Sequence, residues 1–189
     1  LEVASGRGHD LDISLFERLA GSLDVATLST QHRMHPDISA IAKRTTYPEL
    51  IDAAEVSDHP LVKGIRGRVC FIDHQIPQDD RSGLSEFADA ASKTNKHEAE
   101  MVVGTVKYLL QQGYAHSDLV VLTPYSGQLL VIQDGLKQAK LDVLIEEEDR
   151  NAAYNKLKGV EGFDVNLSAK SGDTTKSVRV ATIDNYQGE

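Results

Sequence analysis

Leu119-Val120-Val121-Leu122-Thr123, running straight into Pro124-Tyr125-Ser126-Gly127-Gln128, is the stretch on which the fold turns. Four apolar residues are too few for a helix, and they alternate with nothing polar, so the run reads as a strand covered on both faces. A helix-period stretch follows Ser126, with Leu129, Val131, Ile132 and Leu136 on its apolar side. A buried strand handing over to a helix is the repeating unit of an α/β domain with a mainly parallel sheet. The same reading extends to Val25–Ser29, Val69–Asp73 and Val178–Ile183, the other strand expectations. Three more helices are expected. One follows Asp12, with Ser14 and Glu17 in capping-box spacing, Leu15, Phe16 and Leu19 facing the sheet, and a stop at Gly21. A second starts at Pro36, with Ile38, Ile41 and Ala42 in phase. The third runs from the cap Asn95, along Val102, Val103, Val106, Leu109 and Leu110, to Gly113.

Two stretches lack this order. His74–Thr94 shows no strong period, and neither does Ala139–Lys176, which reads as a polar insertion on the surface with one helix near Ala152–Leu157. The run Glu146-Glu147-Glu148-Asp149 inside it reads as a solvated face.

Composition narrows the function. The 189 residues are 40% hydrophobic and 26% charged, the balance of a single globular domain, and the first and last residues read as those of a piece of something longer. A formal charge of −9 excludes binding of nucleic acid by bulk charge, so any such binding must be local. Cys70 is the one cysteine and cannot form an internal disulfide; no apolar run approaches the ~20 residues of a membrane span. A reducing, intracellular compartment with no membrane partner is expected.

In open α/β sheets ligands gather beyond the carboxyl ends of the strands. The residues there are Gln31-His32-Arg33-Met34-His35-Pro36 after the first expected strand, Pro124-Tyr125-Ser126-Gly127-Gln128 after the third and Asp184-Asn185-Tyr186-Gln187-Gly188 after the fourth. Arg33 is the most telling, because a guanidinium stays charged and offers a planar fork suited to phosphoryl oxygens. Read alone, an arginine there is more often a surface ion pair. His32 and His35 with Asp37 have a spacing that permits a metal, but no second cluster completes four ligands, so no metal is expected.

Thr30–Pro36, Leu122–Gln128 and Ala181–Glu189 together resemble three successive motifs of superfamily 1 helicases, and Ser14–Leu19 resembles the helix preceding the first. The branch is that of the nonsense-mediated-decay helicase and senataxin, nearest to helicases bearing NFX-type zinc fingers. The resemblance implies a RecA-like three-layer α/β/α domain, the second of two such motor domains, with ATP and Mg2+ held mainly by the first. It implies Arg33 as an arginine finger, Gln31, His32, Gln187 and Gly188 as further ATP-binding positions, and Thr123, Pro124, Tyr125, Gln128 and Thr182 as contacts to single-stranded RNA or DNA. His32 stands where relatives often carry a base-stacking tyrosine. The phosphate-binding pattern G-x-x-x-x-G-K-S/T is not found: Gly172–Ser177 comes nearest but has Thr175 at the second glycine. These residues alone are therefore expected not to hydrolyse ATP. The activity implied for the whole is ATP-dependent movement along RNA, or DNA, in RNA surveillance or silencing. A non-catalytic RecA-like module serving protein interaction is the alternative.

Overall fold

A computed structural model describes residues 13–79, 93–158 and 175–186. The chain divides into two compact units, Leu1–Cys70 and Phe71–Glu189.

In the first unit, helix α1 (Leu15–Ala20) begins as the capping box requires, the Ser14 hydroxyl accepting from the Glu17 N–H at 3.0 Å, and ends at Gly21. Its apolar face is not covered as expected: Leu15 and Phe16 are 72% and 70% exposed. Periodicity marks which face is apolar, not what lies over it. Helix α2 (Pro36–Thr45) starts at the expected proline, and His35 caps it by accepting from the Asp37 N–H at 3.1 Å. Two short strands, β1 (Thr30–Gln31) and β2 (Ile51–Asp52), pair in parallel with Thr30 opposite Ile51 and Gln31 opposite Asp52. Neither Val25–Ser29 nor Val69–Asp73 forms a strand; the pairing begins just after the first of these, where the Ser29 carbonyl accepts from the Ile51 N–H. An apolar run makes a strand only where a neighbour supplies a ladder.

The second unit holds the larger core. Helix α3 (Lys96–Gln111) is capped by Asn95, whose side chain accepts from the Glu98 N–H at 3.1 Å. Gly113 closes it with φ 93°, a conformation that favours glycine, and its N–H returns to the Leu110 carbonyl. Then follow β3 (Val120–Thr123), α4 (Ser126–Gln138), β4 (Val143–Leu144), α5 (Glu147–Leu157) and β5 (Val178–Thr182). The strands lie in the order β3-β5-β4, all parallel, with β5 in the middle. This is the α/β class implied by the RecA-like resemblance.

The stretch expected to be a polar surface insertion is not one over its first half. Val143 and Leu144 pair with Val178 and Arg179, and Ala153 and Leu157 of α5 are fully buried beside Leu129, Ile132 and Leu136 of α4. Residues 159–174 lie outside the described residues, as do Gln187 and Gly188. Helices α3 and α4 approach closely at Gly135, where a Cβ would sit 3.0 Å from Cγ2 of Val103.

Candidate functional site

In the first unit the site residues stand on the turn between β1 and α2, and Gln31 builds that turn. Its Oε1 accepts from the N–H groups of Arg33 (2.9 Å) and Met34 (2.7 Å), while its Nε2 donates to the Met34 carbonyl (2.6 Å) and to Oδ1 of Asp52 (2.8 Å). One amide thereby satisfies groups the sharp turn would leave bare. Asp52, its partner across the two strands, also accepts from Ser39 Oγ at 2.7 Å and Lys43 Nζ at 2.7 Å. The Lys43 bond first, then those of Ser39 and Gln31, lower the Asp52 carboxyl from its ordinary 3.8 to about 2.

On this brace Arg33 is exposed, its backbone N–H bound to Gln31 and its guanidinium without a partner among the described residues. His32 beside it is also exposed, with Nδ1 2.6 Å from Oε1 of Glu55. That bond is the main reason the Glu55 carboxyl is held below its usual value. It fixes one edge of the imidazole and leaves the ring face open, the surface a stacking residue needs.

In the second unit the parallel register places Thr123 directly opposite Thr182, at the carboxyl ends of adjacent strands β3 and β5. The bond from the Ile183 N–H to the Thr123 carbonyl, 3.1 Å, carries the pairing one residue further. These two motif threonines are therefore neighbours. Next to them opens a cleft of about 220 Å³ whose walls include Lys93, Asn95, Thr123, Pro124, Tyr125 and Gln128. Tyr125 is exposed at its rim, and the Lys93 ammonium lies 5.5 Å from the centre of its ring. A larger apolar groove of about 590 Å³ runs between α3 and the amino-terminal half of β3 and is lined by none of the site residues.

Two expected contacts have other work in this structure. Gln128 is buried, its Oε1 accepting from the Asn95 N–H at 2.8 Å and its Nε2 donating to the Asn95 carbonyl at 3.0 Å, so its amide clamps α4 to the start of α3. Thr182 is buried too, and both its donors go to Asp149: the N–H to Oδ2 at 3.0 Å and the hydroxyl to Oδ1 at 2.5 Å. Asn185 Nδ2 donates to the same Oδ1 at 2.8 Å.

The acidic run is accordingly only partly a solvated face. Asp149 is 1% exposed, and Glu146 meets Arg179 at 2.7 Å. The pattern Asp149, Ala153, Leu157, four apart, is the sequence signal that places Asp149 on the buried side of its helix. Among the described residues no three His, Cys, Asp or Glu side chains come together as a metal site.

A family model described as an AAA domain matches residues 11–189, nearly the whole chain. This chain belongs to that AAA-domain family of superfamily 1 helicases. Among its relatives, the NFX1-type zinc finger-containing protein 1 homolog of Caenorhabditis elegans is 32% identical over 97% of this chain and 6% of its own length. DNA polymerase alpha-associated DNA helicase A of Schizosaccharomyces pombe is 32% identical over 73% of this chain and 23% of its own length. The helicase required for RNAi-mediated heterochromatin assembly 1, from the same yeast, is 30% identical over 82% of this chain and 14% of its own. The AAA-domain chain thus spans a small part of the relatives it matches, and lies near the helicases of the NFX1 type. No helix among its described residues is long and apolar enough to cross a membrane.

Proposed function

We propose that the chain is the second RecA-like motor half of an ATP-dependent helicase that moves along single-stranded RNA, or DNA. The observation that carries this reading is the exposed Arg33 guanidinium, without a partner among the described residues, on a turn stiffened by Gln31. A cation carried on a braced turn and free of other partners among the described residues is available to a transferring phosphoryl group brought to it by another domain. ATP and Mg2+ sit mainly on a first RecA-like domain; Arg33 meets the γ-phosphate, Gln31 orients Arg33, and the open face of His32 stacks on the base. Gln187 and Gly188 remain assigned to nucleotide coupling through the motif resemblance alone.

The strand runs over the carboxyl edge of β3 and β5. Pro124 and Tyr125 offer backbone groups and a ring face, neither of which reads sequence, and that suits a motor stepping along any strand; Thr123, 3% exposed and accepting from the Tyr125 N–H, supports them from beneath. Lys93 supplies the local positive charge that a chain of net charge −9 otherwise lacks. Gln128 acts by shaping the cleft. Relatives whose names contain DNA helicase and RNAi-mediated heterochromatin assembly support a nucleic-acid motor, and the second of them supports work in RNA silencing. The implied setting is inside the cell.

The test is Arg33→Ala in the intact protein. Strand-stimulated ATP hydrolysis should fall about 10³- to 10⁵-fold while nucleotide binding survives. Hydrolysis at the unmodified rate removes the assignment. An intact protein that hydrolyses no ATP in either form favours a non-catalytic interaction module instead.

A further inference from the structure

We infer that Asp149 is a positioning residue that sets the turn after β5 for strand-coupled ATP hydrolysis, an inference resting on the motor reading above. The carboxylate is 1% exposed and accepts three hydrogen bonds, from the Thr182 N–H (3.0 Å), the Thr182 hydroxyl (2.5 Å) and Asn185 Nδ2 (2.8 Å). An apolar side chain at 149 would complete the buried face formed by Ala153 and Leu157 without the desolvation cost of a charge. What the carboxylate adds is direction: it fixes both the last residue of β5 and the third residue beyond it.

The same helical start grips the turn a second time. Glu146, the residue capping α5, meets Arg179 at 2.7 Å, and that guanidinium lies 4.7 Å from the centre of the Tyr186 ring. Thr182 and Asn185 are thus referred directly to Asp149 at the start of α5, and Tyr186 to Glu146 through Arg179. Because both Thr182 donors point at Asp149, the strand rests on the Pro124–Tyr125 side of the edge, where the tyrosine is exposed, and Thr182 transmits position rather than holding a phosphate. Gln187 and Gly188 follow this turn in sequence, so the turn's placement bears on the step that couples strand to nucleotide.

The test measures ATP hydrolysis by the intact protein against the concentration of a single-stranded oligonucleotide, as RNA and as DNA, for Asp149→Asn, Thr182→Val, Thr182→Ser and the Asp149→Asn/Thr182→Val pair. Turnover at saturating strand should fall at least about tenfold in the first two, with the half-stimulating strand concentration moving less than about threefold. Thr182→Ser keeps the hydroxyl and should stay within about twofold of the unmodified protein, and the double variant should be no worse than the poorer single one. Asp149→Asn with normal saturated turnover overturns the inference. So does a Thr182→Val protein whose half-stimulating concentration rises at unchanged turnover, since Thr182 would then grip the strand itself. Should Asp149→Asn fail to fold, the valine and serine variants at 182 still decide. An unmodified protein with no strand-stimulated hydrolysis defeats the motor reading, and this inference with it.

Discussion

Replacing Gln128 by leucine should loosen the second unit without changing its shape. The native amide satisfies two main-chain groups of Asn95, the N–H at 2.8 Å and the carbonyl at 3.0 Å, in a buried position. Leucine fills a similar volume but strips the Asn95 N–H, while the Asn95 carbonyl keeps its bond from the Ala99 N–H at 3.1 Å, and a stripped buried polar group costs about 1–3 kcal/mol. Losing the second bond to the carbonyl adds about 0.5–1.5 kcal/mol and the added apolar contact returns about 1, so a loss of about 2 kcal/mol is expected. The helix cap itself persists, because Asn95 still accepts from the Glu98 N–H. The chain has no tryptophan, so unfolding in urea is best followed by the circular dichroism of its helices. With a slope of about 1–3 kcal/mol per molar, the midpoint should fall by about 0.7–2 M. Gln128→Glu should fall similarly, since its second oxygen faces the Asn95 carbonyl where an N–H stood. A shift below about 0.3 M for Gln128→Leu would refute the clamp and return the amide to solvent or ligand.

Leu136→Ala, at a fully buried position of α4, should cost about 2–5 kcal/mol in the same assay; a loss under about 1 would mean that the α4 face is not core. Asp52 carries a folded value near 2 against an ordinary 3.8, so its contribution is complete above the ordinary value and lost as pH falls through about 2. The gap in urea midpoint between the unmodified chain and Asp52→Asn should therefore shrink between pH 4 and pH 2, and a gap that stays constant there contradicts the brace. Lys93→Gln in the intact protein should lower the slope of log affinity for a single strand against log salt by about 0.7, one phosphate's worth. An unchanged slope would place Lys93 off the strand's path.

Much of this architecture was readable beforehand, and what escaped did so for physical reasons. Ser14, Pro36, Asn95 and Gly113 announced helix ends because capping is local chemistry, decided within four residues. Strands β2 and β4 are two residues each, too short for any period to show, and they exist only because Gln31 and Val178 lie alongside. The apolar runs at 25–29 and 69–73 mislead for the converse reason: hydrophobicity favours a strand, and a partner makes one. At the site, the strand-end rule marked Thr123 and Thr182 as positions to inspect, but their direct pairing is a matter of strand order and register that only the fold supplies. The burial of Gln128 and Thr182 was not legible either, because a polar side chain gives no sign of whether its partner is a ligand or another part of the chain. Asp149 was hidden by its company, three exposable glutamates before it, and only its spacing to Ala153 and Leu157 shows which way it points.

The turn after β1 carries most of its scaffolding within itself. Three of the four bonds made by the Gln31 amide end on Arg33 and Met34, and the fourth ends on Asp52, one strand away. Such a loop is portable: grafted after any parallel strand whose neighbour offers a carboxylate at the matching position, residues 31–36 should keep their form. A change at Gln31 alone would unmake it in place, however intact the surrounding helices.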